Sequence, residues 1–394
     1  VSSFLLGLLL AAGGGVDVVE INGPLDPKAA EFVIEAIEEA AADGRQAVII
    51  QLDSTAAVGP SDALFDAADK VGAPPLPVVV WVGPAPAVAR GGAVNLLRLA
   101  DIAAAAPGAR LGYSQPWLAA GPVFADTADY AQREVVVEVG SPYVDIVQPA
   151  LRQLLAALDG RLTDSGFLLD TIDDDGTPVE VRFRQPGLWS RFLRLGVRPE
   201  AAFFFLVSGL TVAVLEFYAV GPGLAAGVAA LSLFLAGYGI AVLPVRWWAV
   251  LLTLLGMGWL VVSYQRGTRT LLTSIGVASI ALGGVFFVRG APQLVMPWWG
   301  VAGAVVAVLF FFLLAMPAVT RSRFSTGTIG RGHLIGKTGS AEVDFAPDGV
   351  VEVDGARWVA SAHRESGIRR GDSVRVMAVA GWTLAVEPER EKSG

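Results

Sequence analysis

Between residues 201 and 320 the chain carries only five charged side chains, Glu216, Arg246, Arg266, Arg269 and Arg289. A run so long with so little to solvate is suited to a membrane interior rather than to a water-facing surface. It divides into five apolar stretches, at about 201–220, 224–243, 247–264, 271–288 and 298–319. Each is near the ~20 residues that cross a hydrocarbon layer. Gly221-Pro222-Gly223, Pro244, the arginines at 266 and 269, and the segment from Arg289 to Pro292 punctuate them. Trp247, Trp248, Tyr264, Trp298 and Trp299 sit at their edges, where interfacial anchors belong.

The flanks differ from this block and from each other. Residues 1–185 hold 11 basic and 25 acidic side chains, and the remainder holds 18 and 12. An acidic front region argues against nucleic acid as its partner. With no Cys and only His333 and His363, disulfides and thiolate metal sites are excluded and imidazole chemistry has few options. Neither a cofactor nor a metal is implied. At the N-terminus the apolar run from Phe4 to Ala12 and three glycines have the length of a signal peptide or anchor within 1–15. Such a segment would place the next domain outside the cytoplasm.

Residues 16–185 alternate strand-like and helix-like segments. Val16 to Ile21 is β-rich, Asp26-Pro27 supplies an N-cap and a first-turn proline, and helical spacing runs on to Gly44. Ala47–Leu52 and Leu76–Val82 read as strands buried on both faces, Ser61–Val71 and Val88–Leu99 as helices, and Asp101–Ala105 as extended. The order predicts a mostly parallel α/β sheet with right-handed crossovers.

The runs VVEINGPLDPKAAEFVIEAIEEAAADGRQAVIIQLDS and PVVVWVGPAPAVARGGAVNLLRLADIAAAAPGARLG resemble the ClpP-class, crotonase-like domain of long-form NfeD proteins. The resemblance implies a membrane-bound serine protease with a Ser–Lys dyad and glycine N–H groups forming an oxyanion hole. This chain departs from that pattern at each part. Ala56 and Ala57 stand where the family has a glycine pair, and Gly91 falls at the nucleophile position. No lysine occurs between Lys70 and Lys337, and the insert that would carry the base is reduced to about 126–137. The expectation is therefore a pseudoprotease. The alternative is an active protease using Ser54, Ser61 or Ser114, which otherwise read as turn or capping residues. Asp53 and Asp101 read as loop or cap carboxylates, and Asp173-Asp174-Asp175-Gly176 as a solvated turn rather than a calcium loop.

Residues 186–200 alternate apolar and arginine positions at helical spacing around Trp189, as an interfacial amphipathic helix does. Five spans would leave the two soluble domains on opposite sides. The arginines at 266, 269, 321 and 323 then fit a cytoplasmic barrel, whereas those at 182–198 run against that orientation. Glu216 is the one carboxylate inside an expected span. It suggests an ion or solute path, or more simply a Glu near the end of its helix.

Residues 324–389 turn to short β-rich runs: 331–335, 340–345, 350–353, 357–361, 373–380 and 383–386. Five or six strands in so short a segment predict a small closed barrel. The run LIGKTGSAEVDFAPDGVVEVDGARWVASAHRESGIRRGDSVRVMAVAGWTLAVEP resembles the C-terminal OB-fold domain of NfeD proteins. That resemblance implies a protein-interaction module for flotillin- or stomatin-like (SPFH) partners, with Lys337 and Trp382 as candidate contacts. Too few aromatic residues are present for a nucleic-acid stacking face. The whole reads as a membrane scaffold of the NfeD type, in contact with the lipid bilayer and self-associating, with a ClpP/crotonase-like domain (16–185), an interfacial helix (186–200), five spans (201–320) and an OB-fold barrel (324–389).

Overall fold

The computed structural model describes residues 14–114, 129–163, 165–173, 175–218, 223–267, 271–289, 293–319, 332–362 and 366–389. The expected signal or anchor at 1–15 lies almost wholly outside the described residues. Residues 1–316 form one compact unit and 317–394 a second.

The first unit begins with the expected alternation. Strands β1 (Val16–Asn22), β2 (Ala47–Asp53), β3 (Val78–Val82), β5 (Ile102–Ala105) and β8 (Ile146–Val147) join β9 (Val181–Arg184) in a six-stranded sheet of order β8-β5-β3-β2-β1-β9. All its pairings are parallel. Strands β1 to β3 are almost continuously buried because helices cover both faces. Helix α1 (Pro27–Ala42) starts where the cap signal puts it, its Asp26 side chain accepting from the Ala29 N–H at 3.3 Å. Helices α2 (Ser61–Gly72), α3 (Val94–Leu99) and α4 (Leu151–Leu158) complete the layers.

One expectation fails here. Val88–Leu99 is not one helix. Val88–Arg90 is a strand (β4) of a small second sheet with β6 (Arg110–Gly112) and β7 (Glu134–Val136), and a 3₁₀ turn over Gly91–Ala93 leads into α3. The backbone of β4 is occupied sideways: Ser54 N–H donates to the Val88 carbonyl at 2.7 Å and Arg90 N–H to the Ser54 carbonyl at 2.9 Å. Gly91, at φ +59°, breaks the run.

The sheet edge is fastened by charge. Asp17, fully buried in β1, receives Arg45 at 2.8 Å, Arg182 at 2.9 and 2.7 Å, and Arg184 at 2.7 Å. Asp43 also accepts from Arg182 and Arg184, and Glu39 from Arg184. Burial alone would raise the Asp17 carboxyl, but hydrogen bonds from Arg182 and Arg184 and the charges of Arg182 and Arg45 outweigh it and hold it below the usual carboxylate range.

Beyond β9 the chain enters α5 (Leu188–Arg194), shorter than the expected amphipathic helix because Gly196 turns tightly against the backbone of the next hairpin. Among the described residues, four helices are long and apolar enough to cross a membrane: α6 (Pro199–Tyr218), α7 (Leu224–Val242), α8 (Trp247–Arg266) and α10 (Trp298–Phe310), the last continuing through a π turn to Val319. The fifth apolar stretch differs from expectation. Helix α9 is only Leu271–Val285, 15 residues, about 22 Å at 1.5 Å per residue. Residues 286–289 leave the helix because their backbone pairs with the Pro244–Arg246 turn: Arg246 N–H donates to the Phe287 carbonyl at 2.9 Å and Arg289 N–H to the Pro244 carbonyl at 2.8 Å. Small residues let α8 and α9 approach closely; a Cβ on Gly256 would lie 2.8 Å from the Gly276 carbonyl oxygen.

The second unit is a closed five-stranded barrel of order β10-β11-β12-β14-β13, built from Thr338–Ala341, Asp348–Val353, Ala356–Ser361, Ser373–Ala380 and Thr383–Pro388. The expected strand at 331–335 is instead a 3₁₀ turn over Gly332–Leu334 whose Leu334 plugs the core. Alternate residues of β11 and β13, among them Val351, Val353, Val374 and Val376, fill the interior.

Asp17→Asn should cost about 3 kcal/mol, since it leaves three guanidiniums around a neutral buried group. The lowered folded value fixes the sign of the pH effect: the stabilisation is present above about pH 4, the unfolded carboxyl value, and is lost as pH falls through the folded one. Measured relative to the intrinsic rate at each pH, hydrogen exchange of the β9 amides in the full chain should accelerate on acidification in the native protein. In the variant that acceleration should be blunted.

Candidate functional site

The positions singled out in sequence come together at the C-terminal ends of the parallel strands, where open α/β sheets hold their ligands. β2 ends at Asp53, and the loop after it carries Ser54, Ala56 and Ala57. β4 ends at Arg90, and Gly91 opens the turn into α3. A Cβ built on Gly91 would stand 3.6 Å from Ala56 Cα and 3.9 Å from Ala57 N. Gly91, Ala56 and Ala57 are all buried.

What covers them comes from the membrane block. Gln293, on the segment between α9 and α10, lies with its Cγ 3.4 Å from the same point above Gly91. It is 3% exposed and donates from Nε2 to the Tyr113 carbonyl at 3.0 Å. Ala56 and Val58 belong to one apolar cluster with Val197, Phe203 and Leu294 of the membrane block. The loop that would flank a substrate is thus packed against the helices. Beside it remains an open cleft of about 390 Å³ lined by Asp53, Thr55, Arg90, Arg198, Glu200 and Gln293, among others.

The same junction is tied by a second carboxylate. Asp26, fully buried, accepts from Arg194 Nε at 3.0 Å and from the Tyr238 hydroxyl of α7 at 2.9 Å while capping α1. Sequence reading found Asp26 as a cap but missed this bridging role, as it missed Gln293. The available signals were a carboxylate next to apolar surface and a lone amide in an apolar linker.

The alternative nucleophiles are placed as follows. Ser54 is buried and its hydroxyl donates to the Ala56 carbonyl at 3.1 Å. Ser61 opens α2. Ser114 is 1% exposed and its hydroxyl has no hydrogen-bond partner among the described residues. Lys28 pairs with Glu31 at 2.5 Å and Lys70 with Glu38 at 2.7 Å, so both front-domain lysines are engaged by carboxylates. Asp53 accepts from the Val88 N–H and Asp101 from the Val78 N–H, both at 2.9 Å. Asp175 accepts from the Thr177 hydroxyl and N–H, and those bonds hold its carboxyl below the usual value. Glu216 lies in the last turn of α6, partly exposed, and makes no ion pair among the described residues.

In the barrel, Lys337 pairs with Asp354 at 2.6 Å across the turn between β11 and β12. That bond and the lysine charge hold the Asp354 carboxyl below its usual value. Trp382, 78% exposed, lies in the turn between β13 and β14. Thr383 beside it pairs with Val359, which is also exposed.

The architecture defines a multidomain membrane protein: a parallel α/β domain, a block of apolar helices and a closed β-barrel. Residues 200–316 match the NfeD integral membrane domain, and 331–388 match the NfeD-like C-terminal, partner-binding domain. A membrane-bound protease of Pyrococcus horikoshii, PH1510, is 23% identical over 420 residues, spanning 96% of this chain and 94% of that one. The chain thus carries both NfeD domains, with an α/β domain ahead of the membrane block, the layout of a long-form NfeD protein. Among solved structures, the 1510-N membrane protease specific for a stomatin homolog from Pyrococcus horikoshii is similar at 20% identity, covering 46% of this chain and 98% of that one with a TM-score of 0.38. The C-terminal domain of stomatin operon partner protein 1510-C from Pyrococcus horikoshii is similar at 33% identity, covering 16% and 98% with a TM-score of 0.15.

Gly91→Ala forces a Cβ into a left-handed conformation against Gln293 and Ala56 and should cost about 1–2 kcal/mol. Thermal unfolding of the detergent-solubilised full chain measures it. An unchanged midpoint would mean that the 91–93 turn is free to relax.

Proposed function

We propose that this chain is an integral membrane scaffold of the NfeD type whose ClpP-class domain is catalytically inactive and whose barrel engages a stomatin- or flotillin-like membrane protein. The observation that carries the reading is the cluster of Gly91, Ala56 and Ala57 beneath Gln293. A serine protease needs a hydroxyl poised beside a base and free N–H groups at the developing oxyanion. At this position there is no side chain, the flanking loop is packed on the membrane block, and an amide from another element fills the approach. Ser54 is committed to its own loop, and the front-domain lysines sit in ion pairs on α1 and α2.

The barrel supports the partner half of the proposal. Its family is described as partner-binding, and the relative with the same full-length layout is a membrane-bound protease. The structures similar to its two ends are described as specific for a stomatin homolog and as a stomatin operon partner. Trp382 and Val359 offer the large exposed apolar contact that anchors interfaces. A charged phosphate track with stacked aromatics is not what this wall presents, so we assign protein rather than nucleic acid. In this reading α9 crosses with its four longer neighbours, the acidic front domain lies outside the cytoplasm, the barrel lies inside, and the bilayer and further copies of the chain complete the assembly.

A serine-directed fluorophosphonate should leave the full chain unlabelled. Labelling that disappears in Ser54→Ala, Ser61→Ala or Ser114→Ala would overturn the inactive assignment. Removing 324–394 should abolish co-purification with a co-expressed stomatin-like protein, and Trp382→Ala should weaken it by about tenfold or more, the scale of an interface hot spot. Undiminished recovery of the partner by the truncated chain would move the contact elsewhere.

A further inference from the structure

The arginines between 182 and 198 oppose the orientation that the other loops favour, and the proposed function leaves them without a role. Two of them, Arg182 and Arg184, are spent on Asp17. The remaining three, Arg191, Arg194 and Arg198, line one hollow of about 390 Å³ between α5 and the β1–α1 turn.

Aromatic packing fixes the place of this hollow along α7. Trp189 and Phe192 stack on each other at 5.6 Å and meet Phe234 of α7 at 6.1 and 6.5 Å. Phe234 lies eight residues before the end of α7 at Val242, about 12 Å along the axis. One turn nearer that end, Tyr238 bonds to Asp26 of the front domain. α5 therefore packs along the half of α7 that ends at the front domain. Leu188, Trp189 and Leu195 are 82%, 61% and 54% exposed there, the apolar face of a helix lying in the interface.

The charge count at this level is unbalanced. Arg194 is neutralised by Asp26. Arg198 donates to the Asn22 side-chain carbonyl at 3.1 Å and Arg191 to that of Gln185 at 3.3 Å, both uncharged acceptors. Two guanidiniums thus keep their charge among the described residues, against the single carboxylate of Glu20 in the same lining.

We propose that this hollow binds the phosphate of an anionic phospholipid from the surrounding bilayer. Arg191 and Arg198 supply charge-assisted donors to the phosphate oxygens, and Leu188, Trp189 and Leu195 take the glycerol and upper acyl region. Guanidinium is suited to this because it is weakly hydrated and forks onto phosphate oxygens. The site gives the arginines a purpose on a side of the membrane where they oppose the usual bias.

Native mass spectrometry of the full chain, titrated separately with phosphatidylglycerol and phosphatidylcholine, tests it. Phosphatidylglycerol should bind about tenfold or more tightly, the scale of two interfacial arginines. The pair Arg191→Gln and Arg198→Gln should bring it down to the phosphatidylcholine level, whereas Arg369→Gln with Arg370→Gln on the barrel should leave the preference intact. Equal binding of the two lipids by the native chain would overturn the proposal whatever the folding of the variants. So would full retention of phosphatidylglycerol by the first pair. Displacement of the lipid by inorganic phosphate at equal concentration would also contradict it, showing a site for soluble anions.

Discussion

Asp26 is the point on which the arrangement of the first unit turns. Its carboxylate closes the first turn of α1, accepts Arg194 from α5 and accepts the Tyr238 hydroxyl from α7. A buried carboxylate held by a guanidinium and a hydroxyl is costly to separate, because each partner left behind would be desolvated and unpaired. The front domain is thereby part of the same packed body as the helices rather than a protease on a tether. Ala56 and Val58 join the apolar cluster of the membrane block on one side of this bond. Gln293 closes over Gly91 on the other.

That packing gives the proposed loss of catalytic groups a physical meaning. A working cleft must leave its nucleophile, base and oxyanion donors accessible to an extended substrate. Here the corresponding loop is used as an internal surface. Glycine at 91 admits both the left-handed turn and the approach of Gln293, and alanine at 56 and 57 fits flush beneath it. Once the cleft serves to seat the membrane block, a side chain suited to catalysis would disturb the seat. The residual cleft between Arg90, Arg198 and Glu200 is open, whereas the floor beside Gly91 is filled.

Much of this was legible in the sequence, and the exceptions share a cause. Periodicity and punctuation located the buried strands, the Asp26-Pro27 cap, the long apolar helices and the barrel strands, because local sequence dictates those features. The single helix expected over 88–99 failed because β4 is held by sideways bonds to Ser54 that no local pattern records. The fourth span was overestimated because residues 286–289 pair with a turn forty residues earlier. Gly91, Ala56 and Ala57, singled out by motif position, lie side by side. The cover supplied by Gln293, the clamp around Asp17 and the bridging role of Asp26 are contacts between distant segments, and composition alone carries little trace of them.

The absence of cysteine from the sequence allows a direct test of whether the front domain is sealed against the membrane block. Gln293→Cys introduces one thiol at the seat over Gly91. In the full chain reconstituted in bilayers, this thiol should resist a water-soluble maleimide and become reactive when Asp26→Asn loosens the junction or when the protein is denatured. Rapid labelling in the otherwise native protein, unaffected by Asp26→Asn, would contradict the account.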